Sequence, residues 1–169
     1  MILIEDSRNQ VGKHKNIGLY CKRHGIELVR QCLSVGDYML GEMVNGEIKP
    51  VGNISIDTKA DCLEIASNIC SSDHKRFKAE CERSQRLGIQ LIVLVEEAVP
   101  FGQIDLWEVP RWRTSSKYHR FGDPMTLVEP RTLAKAMQTM TDKYGVRFRF
   151  CNRRETPRRL IKYLKGEYR

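Results

Sequence analysis

The apolar positions of this chain of 169 residues change period several times, and the changes mark out its elements. Residues 2–6, "ILIED", form a short apolar run closed by acids, and Ile17, Tyr20, Cys21 and His24 recur at helical spacing around 13–24. "IELVRQC" (26–32) and "YMLGEMV" (38–44) read as strands separated by the turn-like "SVGD". Asn45-Gly46 predicts a tight hairpin into a strand whose apolar stretch ends at Asp57. Between Asp61 and Leu87 the period is helical, predicting two helices broken near "SSDHK", with Ser72 or Asp73 as a cap. "IQLIVLVEE" (89–97) is almost continuously apolar, the pattern of a strand covered on both faces. The stretch 101–124 is the least regular. A helix over 130–145 stops at Gly145, a strand follows at 146–151, and Thr156-Pro157 opens the last helix as cap and first-turn proline.

Strands alternating with helices predict the α/β class: a mixed central sheet flanked by helices, in one domain over residues 1–169 with a core in 1–100 and a helical, basic extension in 101–169. A hydrophobic content of 41% with 30% charged residues is a globular profile. No apolar run is long enough to span a membrane and "MILIEDSRNQ" is not a signal peptide, so a cytoplasmic setting is expected. Six cysteines without C-x-x-C spacing argue for free thiols and against structural zinc; the histidines likewise lack metal-binding spacing.

Charge changes the picture. Residues 143–169 hold ten of the 29 Lys and Arg but only Glu155 and Glu167 of the 21 acids, leaving the first 142 residues balanced at 19 of each. The excess of +8 therefore sits in the last 27 residues, pointing toward a polyanion such as nucleic acid, with a solvated face as the plain alternative. In the last helix Leu160, Ile161 and Leu164 make a buried stripe that leaves Arg158, Arg159 and Lys162 as candidate phosphate contacts. Trp107, Trp112, Tyr118 and Phe121 lie among four Lys and Arg, able either to stack on unpaired bases or to pack on the core.

Candidate chemistry comes from acids at strand ends: Asp6, Asp37 and Asp57, with Lys59 two residues past the last and so on its side of the strand. The hairpin brings the start of Asp37's strand near the end of Asp57's. Two carboxylates about 4 Å apart repel by roughly 4 kcal/mol at an effective dielectric near 20, and so call for a cation. Hard oxygen ligands suit Mg²⁺ or Mn²⁺, and an adjacent lysine could orient water or bind a phosphate. Read blandly, the same residues are turn chemistry and a solvated strand edge.

These residues resemble, in order and spacing over about residues 2–97, the nuclease domain of the XPF-type structure-specific endonucleases of the PD-(D/E)xK superfamily, a restriction-endonuclease-like fold. "IEDSR" (4–8), "VGDYML" (35–40), "IDTK" (56–59), "SNI" (67–69), "HKRFKAECERSQRLG" (74–88) and "LIVLVEE" (91–97) fall in the family's order, most like its compact phage and bacterial versions. The resemblance implies Asp37, Asp57 and the Thr58 carbonyl as metal ligands for Mg²⁺ or Mn²⁺, and Lys59 as the catalytic lysine. It further implies Asp6 as an additional acid, Arg8 as a phosphate or site-organising contact, and Arg76 and Glu80 as support. Three positions depart from the pattern: Asn9 and Leu63 stand where acids are common, and Thr58 stands for the Arg of Glu-Arg-Lys.

The expectation is a Mg²⁺-dependent DNA endonuclease acting on branched, flap or fork DNA in repair or recombination, and forming a homodimer. The rivals are a DNA-binding module with little cleavage, an exonuclease or restriction-type enzyme of the same superfamily, and a basic interaction protein.

Overall fold

The structure, a computed structural model, describes residues 1–12, 14–70, 74–106 and 128–167. Six strands form one mixed sheet: β1 (Ile2–Asp6), β2 (Glu27–Gln31), β3 (Tyr38–Val44), β4 (Glu47–Lys59), β5 (Gln90–Val95) and β6 (Arg147–Phe150), in the order β2-β1-β3-β4-β5-β6. Only β3 runs against the others. The carboxyl ends of β1 and β4 and the start of β3 therefore meet at one edge, where ligands of open α/β sheets bind. Among the described residues five α-helices, α1 (Lys15–Arg23), α2 (Cys62–Cys70), α3 (His74–Arg86), α4 (Pro130–Tyr144) and α5 (Thr156–Leu164), cover both faces.

β5 shows why two layers are needed. Leu91, Val93 and Val95 pack with α2, α3 and α4 on one face, while Ile92 and Leu94 pack with α1 and α5 on the other. With no polar alternation, this strand is stable only between helices. Among the described residues no helix is long and apolar enough to cross a membrane.

The hairpin of β3 and β4 turns at Asn45-Gly46, both with positive φ (52° and 81°), as this tight turn requires. Pairing runs from Val44 opposite Glu47 to Leu40 opposite Val51, then shifts so that Tyr38 faces Ile56. The residues between, 52–55, hold an irregularity in β4. From Ile54 the strand also joins β5, with Asp57 opposite Val93 and Lys59 opposite Val95. The strand thus extends through Lys59 and does not stop at Asp57.

Helices α1 to α3 fall where the period put them, while the expected cap at Ser72 or Asp73 lies outside the described residues, as do the aromatics of the irregular stretch. Gly145 ends α4 at φ 71°, its N–H donating to the Thr141 carbonyl. At α5 the expectation needs correction. Glu155, not Thr156, occupies the capping position, with Pro157 in the first turn as expected. Thr156 is fully buried and its hydroxyl lies 3.6 Å from the Cys151 sulfur, so it is committed to the interior.

Candidate active site

The site is built at the carboxyl end of β4. Alternation sends Ser55, Asp57 and Lys59 to the α2–α3 face and Ile56 and Thr58 to the other. Lys59 Nζ donates to Asp57 Oδ1 at 2.9 Å. It also lies 2.8 Å from Oδ2, in a geometry that gives a charge contact and no hydrogen bond. Buried Oδ2 therefore has no hydrogen-bond partner. The Asp57 carboxyl is raised to about 7: burial pushes it up, Lys59 pulls against this, and the charges of Asp37 and Glu80 add to the rise. Burial works against the Lys59 charge too, but the Asp57 carboxylate outweighs it and holds the ammonium above its usual value.

Asp37 comes from the turn immediately before β3, the other strand of the hairpin. Its N–H donates to the Ile56 carbonyl at 2.7 Å, and its Oδ2 accepts from the Thr58 N–H at 2.9 Å and the Thr58 hydroxyl at 2.6 Å. The turn before it requires glycine. Gly36 has φ 68°, and a Cβ there would sit 2.2 Å from Ser55 Oγ and 3.0 Å from the Ile56 carbonyl oxygen. The Gly36 N–H donates to Glu80 Oε1 at 2.8 Å, which ties α3 to the turn. Backbone carbonyls alternate along β4. Ile56 O faces β3 and Lys59 O accepts from Glu96 N–H on the β5 side, so by alternation Thr58 O lies on the β3 side of the strand.

Asp6, at the end of β1, is buried and fully engaged. Arg8 Nε donates to both carboxylate oxygens (2.9 and 3.1 Å), Arg8 Nη2 pairs with Oδ2, and the Arg8 and Leu33 N–H groups donate as well. Burial alone would raise this carboxyl; Arg8 overcomes it and holds Asp6 below the usual carboxylate range. Arg8 also donates to the Leu33 carbonyl at 2.8 Å, so it organises the strand end as well as facing solvent.

Asp6, Arg8, Asp37, Asp57, Lys59, Arg76 and Glu80 line one cleft of about 460 Å³. Size does not single it out, since clefts of about 450 and 510 Å³ lie elsewhere. Paired carboxylates do: among the described residues, the other two clefts have one lining acid, Glu155, between them. The expected cations Arg158, Arg159 and Lys162 are not brought to this cleft. They belong to α5, on the other face of the sheet, and the two arginines pair with Glu155 at 4.0 and 3.7 Å.

Sequence reasoning did not assign four polar side chains of the lining to the site. Counting four residues past Lys59 reaches Leu63, which is in the core; Glu64 is the one that turns into the cleft, 3.8 Å from Lys59 Nζ. Asn68, one helical turn later, also lines the cleft, and its Nδ2 donates to the Glu64 carbonyl. Arg83 continues the Arg76–Glu80 face of α3 and donates to the Ser34 carbonyl at 2.5 Å. Asn9 puts an amide at the rim. The signal for Glu64, Asn68 and Arg83 was the 3.6-residue period itself, read from the cleft face and not the core face.

The donor set suits a hard cation. Among the described residues no three acidic, His or Cys side chains converge tightly enough to hold a metal alone. An orphaned Asp57 oxygen, the Asp37 carboxylate and the carbonyl at Thr58 remain, and Mg²⁺ commonly keeps several waters with one or two carboxylates. The residues present fit such an ion.

Comparison with known proteins agrees with this architecture. The ERCC4 domain family model matches residues 5–164. Among solved structures, XPF from Aeropyrum pernix aligns at TM-score 0.59 with 18% identity, covering 97% of this chain and 63% of that one. XPF from Aeropyrum pernix in complex with DNA aligns at TM-score 0.58 with 16% identity, covering 96% and 62%. The chain thus spans less than two thirds of either matched structure. No curated protein matches it.

Proposed function

The chain belongs to the ERCC4 domain family, and on that premise we propose that it is a divalent-metal-dependent DNA endonuclease acting at branched, flap or fork DNA. The observation that carries the proposal is the buried Asp57 carboxylate, one oxygen of which accepts no hydrogen bond, beside Lys59 and near Asp37 across the β3–β4 hairpin. The DNA bound to the related Aeropyrum XPF supports DNA as the substrate.

Asp37, Asp57 and the Thr58 carbonyl would hold Mg²⁺ or Mn²⁺. When bound, the ion acidifies water and stabilises charge developing on the phosphate. Lys59, fixed by Asp57 and Glu64, sets its ammonium where it can orient the attacking water or the scissile phosphate. Asp6 and Glu80 act through neighbours: Asp6 aligns Arg8, and Glu80 holds the Gly36 turn. Arg8, Arg76 and Arg83 offer cations for the phosphate backbone at the cleft, and Arg158, Arg159 and Lys162 for a more distant segment. A homodimer, a cytoplasmic setting and a role in repair or recombination accompany this reading.

The test is cleavage of labelled linear, fork, flap and closed circular DNA in Mg²⁺ or Mn²⁺, with Asp57→Ala beside the wild type. Metal-dependent cutting of circles and forks that the variant lacks is the expected result. Cutting confined to free ends would make the enzyme an exonuclease. DNA binding with no cutting would favour the second reading, a binding module, to which the amide of Asn9 at an acidic position of the family pattern lends some support.

A further inference from the structure

We propose that Thr58 and His14 form a positioning pair that fixes which oxygen of Asp37 is offered to the metal, working from the opposite face of the sheet. The proposal rests on the metal-dependent reading above. Its basis is a chain of polar contacts. Thr58 Oγ lies 2.6 Å from Asp37 Oδ2 and 3.2 Å from His14 Nε2. An ionised carboxylate only accepts, so the single hydroxyl proton goes to Asp37, and the hydroxyl oxygen must accept from an imidazole N–H. The direction of the chain follows: His14 donates to Thr58, and Thr58 donates to Asp37. Each link polarises the next in a partly buried setting.

The consequence lies in the two oxygens of Asp37. Oδ2 also takes the Thr58 N–H at 2.9 Å, so both bonds converge on one oxygen. Among the described residues Oδ1 receives no donor and is left for a cation. Thr58 is fully buried, and the His14 ring stands edge-on to Tyr38 with centroids 5.8 Å apart. Tyr38 is itself fixed, its hydroxyl donating to Glu5 Oε1 at 3.1 Å. Thr58 occupies the position where the family pattern has arginine. A short hydroxyl there reaches the carboxylate of the neighbouring strand.

A pair that only packs α1 onto the sheet would leave metal affinity untouched, and that separates the two cases. Mg²⁺ and Mn²⁺ binding is measured by calorimetry without DNA, alongside the metal concentration giving half-maximal cleavage and the KM for DNA. Thr58→Val is expected to weaken metal binding about tenfold, the low end for losing a group that orients a ligand, with KM unchanged. Thr58→Ser, which keeps the hydroxyl, restores it. His14→Ala is expected to weaken binding about threefold in the wild type and not at all in Thr58→Val, because His14 acts through the hydroxyl. Wild-type affinity in Thr58→Val, or an equal His14→Ala effect in both backgrounds, overturns the proposal. If Thr58→Val does not fold, the decision passes to His14→Ala against His14→Gln, where only the donor-bearing Gln retains affinity; equal values overturn it. Failure of the wild type to bind metal or cut DNA would instead remove the catalytic reading beneath it.

Discussion

Asp6 and Asp57 look alike in the chain: each lies at or close to the carboxyl end of a strand of the same sheet, and each is followed two residues later by a cation, Arg8 or Lys59. The folded protein treats them oppositely. Asp6 collects donors from Arg8 and from two backbone N–H groups, and its carboxyl is lowered. Asp57 has one hydrogen bond from Lys59, one orphaned oxygen, two nearby carboxylates and deep burial, and its carboxyl is raised. The difference lies in the count of donors and not in the sign of the neighbour. A planar guanidinium just past a strand end can wrap a carboxylate and satisfy it. An ammonium on the strand itself lies close to both oxygens of the acid but hydrogen-bonds only one of them, and the lone pairs it leaves unused can serve a second cation.

Neutralising each acid in turn should separate the two most sharply. Asp57→Asn is expected to lower metal-dependent cleavage about 100- to 1,000-fold, the scale for removing one group that stabilises developing charge. Asp6→Asn should keep activity within about tenfold, an effect transmitted through Arg8. Equal losses in a cleavage assay would erase the distinction.

Stability should reverse the ranking. Asp6→Asn removes the acceptor for several buried donors and is expected to cost about 1–2 kcal/mol, a modest sum because the Arg8 side chain is 62% exposed and screened by water. This contribution depends on pH in a defined direction. The folded carboxyl lies below its unfolded value, so the stabilisation is present above about pH 4 and fades as pH falls through the folded value. Urea unfolding at pH 6, 4 and 3 should show the gap between wild type and Asp6→Asn closing as pH drops. A gap that is constant with pH would mean that packing, and not charge, holds the strand end.

A weaker effect is expected where cations meet an acid at the surface. Arg158 and Arg159 share Glu155 at long range, a loose pairing that leaves charge to spare. Replacing both with alanine should reduce the salt dependence of DNA binding by up to about 0.9 for each phosphate these side chains neutralise. An unchanged salt slope would assign that face to solvent alone.

Much of the fold was legible because it repeats short-range rules. The unbroken apolar run of β5, the glycine stop at Gly145 and the Asn45-Gly46 turn each act within a few residues. The convergence of Asp37 and Asp57 was legible only in outline, since strict counting from the turn puts residue 37 opposite residue 54 and the register shift in β4 makes up the difference. What escaped detection depends on contacts between distant elements. Glu64 enters the cleft because of where α2 begins, a matter of a single residue. His14 reaches Thr58 from a separate helix approach on the far face, and no periodicity in either segment foretells it. Thr156 looked like a cap until burial against Cys151 took its hydroxyl.

The irregularity at residues 52–55 has a consequence for the history of such chains. A strand with strict pairing from turn to site would pass any change in hairpin length straight to its end, replacing Asp57 with Thr58 on the cleft face. Here the register shift lies between the turn and the site, and past it the last residues pair with β5 as well as with the start of β3. Insertions and deletions near the turn can then accumulate as neutral drift. The hairpin arm can lengthen or shorten across lineages while the reactive end of the strand keeps its place.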